Sequence, residues 1–128
     1  MAEPIVYLTN YGRKVVQHLV QQDATYTTPV YVGWGTGTGA QNDTRTDLIT
    51  PASEARVAGT TSVVTTDVTD DTYQNVATLT CEGSAKVITE SGVFMDASGA
   101  TLFLHAIFDD LSLQPGDSIQ LTHLWQLL

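Results

Sequence analysis

The sequence predicts a mainly β protein: an antiparallel β-sandwich, Ig-like or jelly-roll-like, with one N-terminal amphipathic helix. Three observations lead there. Thr and Val are abundant, and a branched Cβ suits the pleated surface of a strand. After Pro29 apolar residues alternate with a period of two in successive short stretches. Turn formers separate those stretches: Asp70-Asp71, Glu82-Gly83-Ser84, Ala97-Ser98-Gly99 and Gln114-Pro115-Gly116-Asp117. No strand–helix alternation runs through the chain, which argues against a parallel doubly wound sheet.

The elements follow in order. Residues 1–8 read as an N-terminal arm that ends in the apolar run Ile5-Val6-Tyr7-Leu8. Thr9 and Asn10 offer helix N-caps, and the helix is expected over about 10–21. At 100° per residue Tyr11, Val15, Val16, Leu19 and Val20 share one half of the wheel, with Gly12 among them. Arg13, Lys14, Gln17, His18 and Gln21 take the other half. Val30, Val32 and Trp34 alternate with Tyr31 and Gly33 as a strand, and a Gly/Thr loop runs from Gly35 to Gly39. Residues 40–53 are polar and irregular, with a short turn of helix expected around Thr44 to Leu48. Further strands are expected at about 54–68, 72–82, 85–95, 100–108 and 117–127. A chain of 128 residues has the length of one domain, 1–128.

Charge narrows the function classes. The formal net charge is −9, and the five basic residues, Arg13, Lys14, Arg45, Arg56 and Lys86, are scattered. Phosphate binding draws on clustered Lys and Arg, so a nucleic-acid partner is not expected. No apolar run approaches the roughly 20 residues that span a bilayer, and an acidic surface disfavours anionic lipid. The opening Met-Ala-Glu-Pro lacks the basic and apolar regions of a signal peptide, and the single Cys81 allows no intrachain disulfide. Synthesis in the cytosol is the expectation.

Each group that could carry chemistry lacks a second member. The Gly35–Gly39 loop is followed by Ala40-Gln41-Asn42-Asp43, with no Lys for a phosphate-binding loop and no third Gly for a dinucleotide fingerprint. A flexible structural loop is the favoured reading. His18 lies on the polar helix face. His105 shares a face with Phe103 and Ile107, and His123 lies between Leu121 and Trp125. Strand pairing could bring the last two together, yet no short ligand spacing follows, so core or interface histidines are favoured over a metal site. Asp67, Asp70 and Asp71 do not match a calcium loop and read as a solvated turn. Glu90 resembles a catalytic carboxylate in its setting, but no acid/base partner is legible beside it, and a structural hydrogen bond is favoured. Cys81 alternates with Leu79 as a small apolar residue would. Trp34 and Trp125 alternate in phase with aliphatic residues, which favours core positions over an aromatic sugar platform. No catalytic residue, cofactor or metal is expected.

Three segments carry a family resemblance. The first is Leu8-Thr9-Asn10-Tyr11-Gly12 with its helix. The second is Tyr31-Val32-Gly33-Trp34-Gly35-Thr36-Gly37-Thr38, then Asp43-Thr44 and Glu54-Ala55-Arg56-Val57. The third is Ile88-Thr89-Glu90-Ser91-Gly92-Val93-Phe94, continuing through Gly99-Ala100-Thr101-Leu102, Phe108 and Pro115-Gly116-Asp117-Ser118. In this order they resemble small bacteriophage virion proteins, namely capsid decoration (cement) proteins and tail-fibre modules. The resemblance spans nearly the whole chain, and it consists of turn and strand signatures. It implies a β-sandwich with a role in assembly and brings no catalytic residues.

A chain that ends at Leu128, with no shaft repeat or coiled coil, fits a decoration protein better than a fibre. The expectation is therefore a virion protein, made in the host cytoplasm, that binds the major capsid protein of the assembled head and stabilises it. A tail or baseplate-attached module is the alternative, and a carbohydrate-binding module comes third. Self-association, as a homotrimer, is expected through Ile5, Val6, Tyr7, Leu8, Leu124 and Leu128, whose apolar surface exceeds what one thin sandwich needs to bury.

Overall fold

The computed structural model describes residues 5–127, with the side chain of Ile5 left aside. Strand β1 (Ile5–Leu8) leads directly into helix α1 (Asn10–Val20). Thr9 caps the helix: its backbone is extended, and its Oγ1 accepts the Gly12 N–H at 2.8 Å. The same hydroxyl donates to the Leu102 carbonyl at 2.5 Å, which ties the helix start to the sheet. Val15 is fully buried, and Tyr11, Val16 and Leu19 pack against the same core. Val20 departs from the expected face: it is 75% exposed, because at 100° per residue it lies about 140° round the helix from the buried Val15.

The remaining elements are β2 (Tyr31–Gly35), β3 (Val57–Ala58), β4 (Thr60–Val64), β5 (Thr72–Thr80), β6 (Lys86–Phe94), β7 (Leu102–Leu113) and β8 (Ser118–Gln126). They form two antiparallel sheets, a five-stranded one in the order β1-β7-β6-β2-β3 and a three-stranded one in the order β4-β5-β8. One core joins them: Val32, Trp34, Val93 and Leu104 from the first sheet meet Ala77, Leu79, Ile119 and Leu121 from the second. Phe103 bridges the layers, its ring centre 5.7 Å from that of Tyr73 and 5.9 Å from that of Trp125 in edge-to-face contacts. The protein is thus mainly β, with two antiparallel sheets and one short helix.

Four expectations change. The run Ile5–Leu8 is a sheet strand and no arm, since it pairs with β7 from Ile5↔Ile107 to Leu8↔Leu104. The stretch 54–68 is two strands in two sheets: β3 pairs with β2, β4 pairs with β5, and Gly59 alone lies between. Strand β7 continues past 108 to Leu113 because Leu111, Ser112 and Leu113 still find partners on β6. The segment 44–48 forms no helical turn; Asn42 Oδ1 accepts from the Thr44 N–H and hydroxyl and sets a tight bend there instead. Residues 1–4 of the expected arm lie outside the described residues.

Gly12 shows how closely α1 sits on β7. A Cβ at this position would lie 2.5 Å from the Phe103 carbonyl oxygen and 2.7 Å from Leu8 Cδ1. Gly12→Ala gains helix propensity of about 1 kcal/mol but must push the helix off the sheet at a cost of about 1–3 kcal/mol. A net loss of stability is expected, read as a lower urea midpoint at unchanged slope.

Candidate functional site

Three groups of buried or engaged polar side chains stand out, and strand alternation positions the first two of them. Neighbouring residues of β6 point to opposite sides of the first sheet. Glu90 faces outward, toward the loop that follows β2, and Ser91 faces the second sheet.

Glu90 is fully buried, and its carboxylate accepts the backbone N–H groups of Gly37 at 3.0 Å, Ile49 at 2.8 Å and Thr50 at 2.8 Å. His105 Nε2 lies 2.8 Å from Glu90 Oε1, and His105 Nδ1 lies 2.7 Å from Gln41 Oε1. Gln41 Nε2 donates to the His105 carbonyl, so its amide oxygen is the atom turned to the ring. Both ring nitrogens therefore face oxygen atoms of neighbouring side chains. Burial alone would raise the Glu90 carboxyl; the hydrogen bonds from His105 and the three amides outweigh it and hold the group below its ordinary value. The Gly/Thr loop is thereby explained. A Cβ on Gly35 would meet Glu90 Oε2 at 2.7 Å, and one on Gly37 would meet it at 2.4 Å. The glycines let backbone approach a carboxylate of the protein itself, and the loop is pinned where a flexible one was expected.

Ser91 and His123 form the second group, between the sheets. Their Oγ and Nε2 are 2.7 Å apart, the spacing of a nucleophile and its base. Ser91 is 1% and His123 3% exposed, so the pair is closed off from solvent between the sheets. Burial pushes the His123 pKa down to about 4, and the ring is neutral at pH 7. Asn75 lies directly opposite His123 in the β5–β8 ladder and is also fully buried. His123 Nδ1 and Asn75 Oδ1 have no partner among the described residues.

Asp71 anchors the third, in the hairpin between β4 and β5. Its carboxylate accepts the N–H groups of Thr66, Asp67 and Val68, the Thr72 hydroxyl and Gln126 Nε2. These bonds, led by those from Thr66 and Val68, hold the carboxyl far below the usual range. The aspartate cluster is a turn built on backbone amides, as the solvated-turn reading has it.

The remaining candidates have structural surroundings. Trp34 is buried, and its Nε1–H donates to Glu54, which also pairs with Lys86. Trp125 packs against Phe103. Neither indole forms an open platform. Cys81 is 1% exposed within the core. His18 stacks on Tyr26 at 4.1 Å and meets Asp23 at 3.0 Å. His105 and His123 belong to different sheets and take different partners, and Phe103 packs in the main core while His105 turns to Glu90. A β-bulge between Val93 and Phe94 breaks the alternation that had put Phe103 and His105 on one face. No group of three or more His, Cys, Asp or Glu among the described residues is placed to hold a metal ion. No helix among them is long and apolar enough to cross a membrane.

The expected interface residues divide. Val6 and Leu8 pack against the protein's own core, while Tyr7 is 41% and Leu124 49% exposed. The side chain of Ile5 and all of Leu128 lie outside the described residues. What the sequence reading missed is a whole surface. The three-stranded sheet contains no Asp, Glu, Lys or Arg in any of its strands. Its outer side presents Thr60, Ser62 and Val64 on β4, Gln74, Val76 and Thr78 on β5, and Gln120, Thr122 and Leu124 on β8. Charges gather at its ends, at Asp67, Asp70 and Asp71 and at Glu82 and Asp117. The signal was available, because those strands read TTSVV, TYQNVATLT and SIQLTHLWQ.

No protein-family model, curated protein or solved structure matches this chain.

Proposed function

We propose that this chain is a structural protein of a bacteriophage particle, a capsid decoration protein that binds the assembled head and stabilises it. In this reading its two sheets form an Ig-like or jelly-roll-like sandwich, it performs no catalysis, and its partners are the major capsid protein and further copies of itself. The resemblance of the Tyr31–Thr38 and Ile88–Phe94 segments supports the virion setting. The observation that carries the binding role is the charge-free outer side of the three-stranded sheet on a chain of net charge −9. Interface centres are depleted in charged side chains, because each would have to be desolvated on contact. The polar groups that could serve chemistry are meanwhile engaged in holding loops and layers, as Glu90 and Asp71 are. The homotrimer expected from Ile5–Leu8 keeps little of its motive, since Val6 and Leu8 are used internally; self-association itself stays part of the proposal.

A decoration protein recognises only the assembled lattice and stabilises it by mass action. The chain is expected to co-sediment with assembled heads, to leave unassembled capsid subunits unbound, and to raise the temperature at which heads rupture. Heads that neither bind the chain nor gain heat resistance would overturn the reading. Binding to isolated tails would establish the tail-module alternative.

A further inference from the structure

We infer that strand β4 is a self-pairing edge: two copies of this chain join antiparallel along Thr60–Val64 and make one six-stranded sheet. The inference deepens the self-association in the proposed function and rests on that part of it alone. Strand β4 ends the three-stranded sheet, and the ladder with β5 is the one backbone ladder it joins among the described residues. At the opposite end of that sheet, β8 has β1 packed beside it. Thr60, Ser62 and Val63 are exposed, Val63 at 62%.

Proteins guard such an edge with charged side chains, proline or a bulge, since its unpaired N–H and C=O groups are a template for another strand. From Thr60 to Thr66 the sequence TTSVVTT has no charge and no proline, and the β4–β5 register runs without a shift. Its β-branched residues favour the extended state that a pairing strand needs.

The occupant is a second copy because the edge complements itself. Antiparallel pairing about a two-fold axis through Ser62 sets Ser62 opposite its own copy, Thr61 opposite Val63, and Thr60 opposite Val64. Every cross-strand pair then joins small or β-branched side chains, with no like charges opposed. Elsewhere two chains of net charge −9 repel one another. Across this edge the two acidic hairpins at Asp67–Asp71 fall at opposite ends of the joined strands. The Val64 residues alone are then about 13 Å apart at the usual strand rise, already beyond a screening length of about 8 Å. The contact is isologous and closes at two copies, whereas a three-fold ring would need two different surfaces. Five residues a side is a small contact, so dissociation in the micromolar range is expected. The joined sheet also doubles the charge-free surface.

Sedimentation of the isolated full chain tests this without any particle, so its result is separate from the virion reading. The native chain is expected to shift from monomer to dimer across the micromolar range. Ser62→Lys opposes two cations on the axis and is expected to stay monomeric with an unchanged circular dichroism spectrum. Independently, Ser62→Cys is expected to give a disulfide-linked dimer under mild oxidation, whereas Thr122→Cys, on the far strand of the same sheet, is not; the native Cys81 is buried. A native chain that remains monomeric at several times about 100 µM would overturn the inference, since that is far above any micromolar constant. So would a dimer that persists in Ser62→Lys, or cross-linking of Thr122→Cys in place of Ser62→Cys.

Discussion

Glu90→Gln is expected to remove about 3 kcal/mol of stability, because it leaves at least one buried donor without an acceptor. The substitution keeps the shape and changes the hydrogen-bond sense. Three backbone N–H groups, from Gly37, Ile49 and Thr50, converge on the Glu90 oxygens. An amide in that place would turn its NH2 group against at least one of them and leave His105 without its carboxylate. Urea denaturation measures the loss. Hydrogen exchange locates it: the amides of Gly37, Ile49 and Thr50 should lose protection beyond the global change, because the loop over the first sheet is held there. A variant as stable as the parent would show that the carboxylate does not hold the loop.

His123 should make stability depend on pH between about 7 and 4. Its pKa is about 4 in the folded protein against the ordinary 6.5, so the unfolded chain binds the extra proton through that interval. Stability is therefore complete above about pH 7 and falls as the pH drops from 6.5 toward 4. The loss between pH 8 and pH 5 comes to about 2 kcal/mol. His123→Gln retains a hydrogen-bonding group for Ser91 and should flatten that part of the profile. The Glu90 contribution has its own window: a carboxyl held below its ordinary 4.5 adds stability at higher pH that is lost only as the pH falls through its lowered value. Equal pH profiles for the parent and His123→Gln would show that His123 is not buried neutral.

Local features were the legible ones. Thr9 at the helix start, the 3.6-residue spacing of Tyr11, Val15 and Leu19, and the turn at Gln114–Asp117 are decided within a few residues of chain, and the helix and the turn that carries β7 of one sheet into β8 of the other follow them. Strand partners across the fold were not legible. The split of 54–68 at Gly59 depends on which sheet each half meets, and period two is the same in both. The Glu90–His105 contact stood closer to view. Counting outward from the turn at Ala97–Gly99 sets Phe94 opposite Leu102 and would set Ser91 opposite His105, one pair from Glu90; the bulge at Val93 and Phe94 shifts the count by one and makes Gly92 the partner. The Ser91–His123 contact needed the packing of one sheet on the other, which no short stretch of sequence encodes.

The pairing of β1 with β7 has a consequence for how the chain is made. Leu8 meets Leu104, so the first strand of this fold to be made waits for almost the last. At translation rates of about 5–20 residues per second that interval is on the order of 5–20 s. Throughout it Val6, Leu8 and the apolar side of α1 have no sheet to cover them, and Thr9 lacks the Leu102 carbonyl that fixes the helix start. Nascent chains stalled near residue 100 should therefore be open to protease at their N-terminus. Release of the full chain should close that region in a single step, since β1, α1 and β7 gain their burial together.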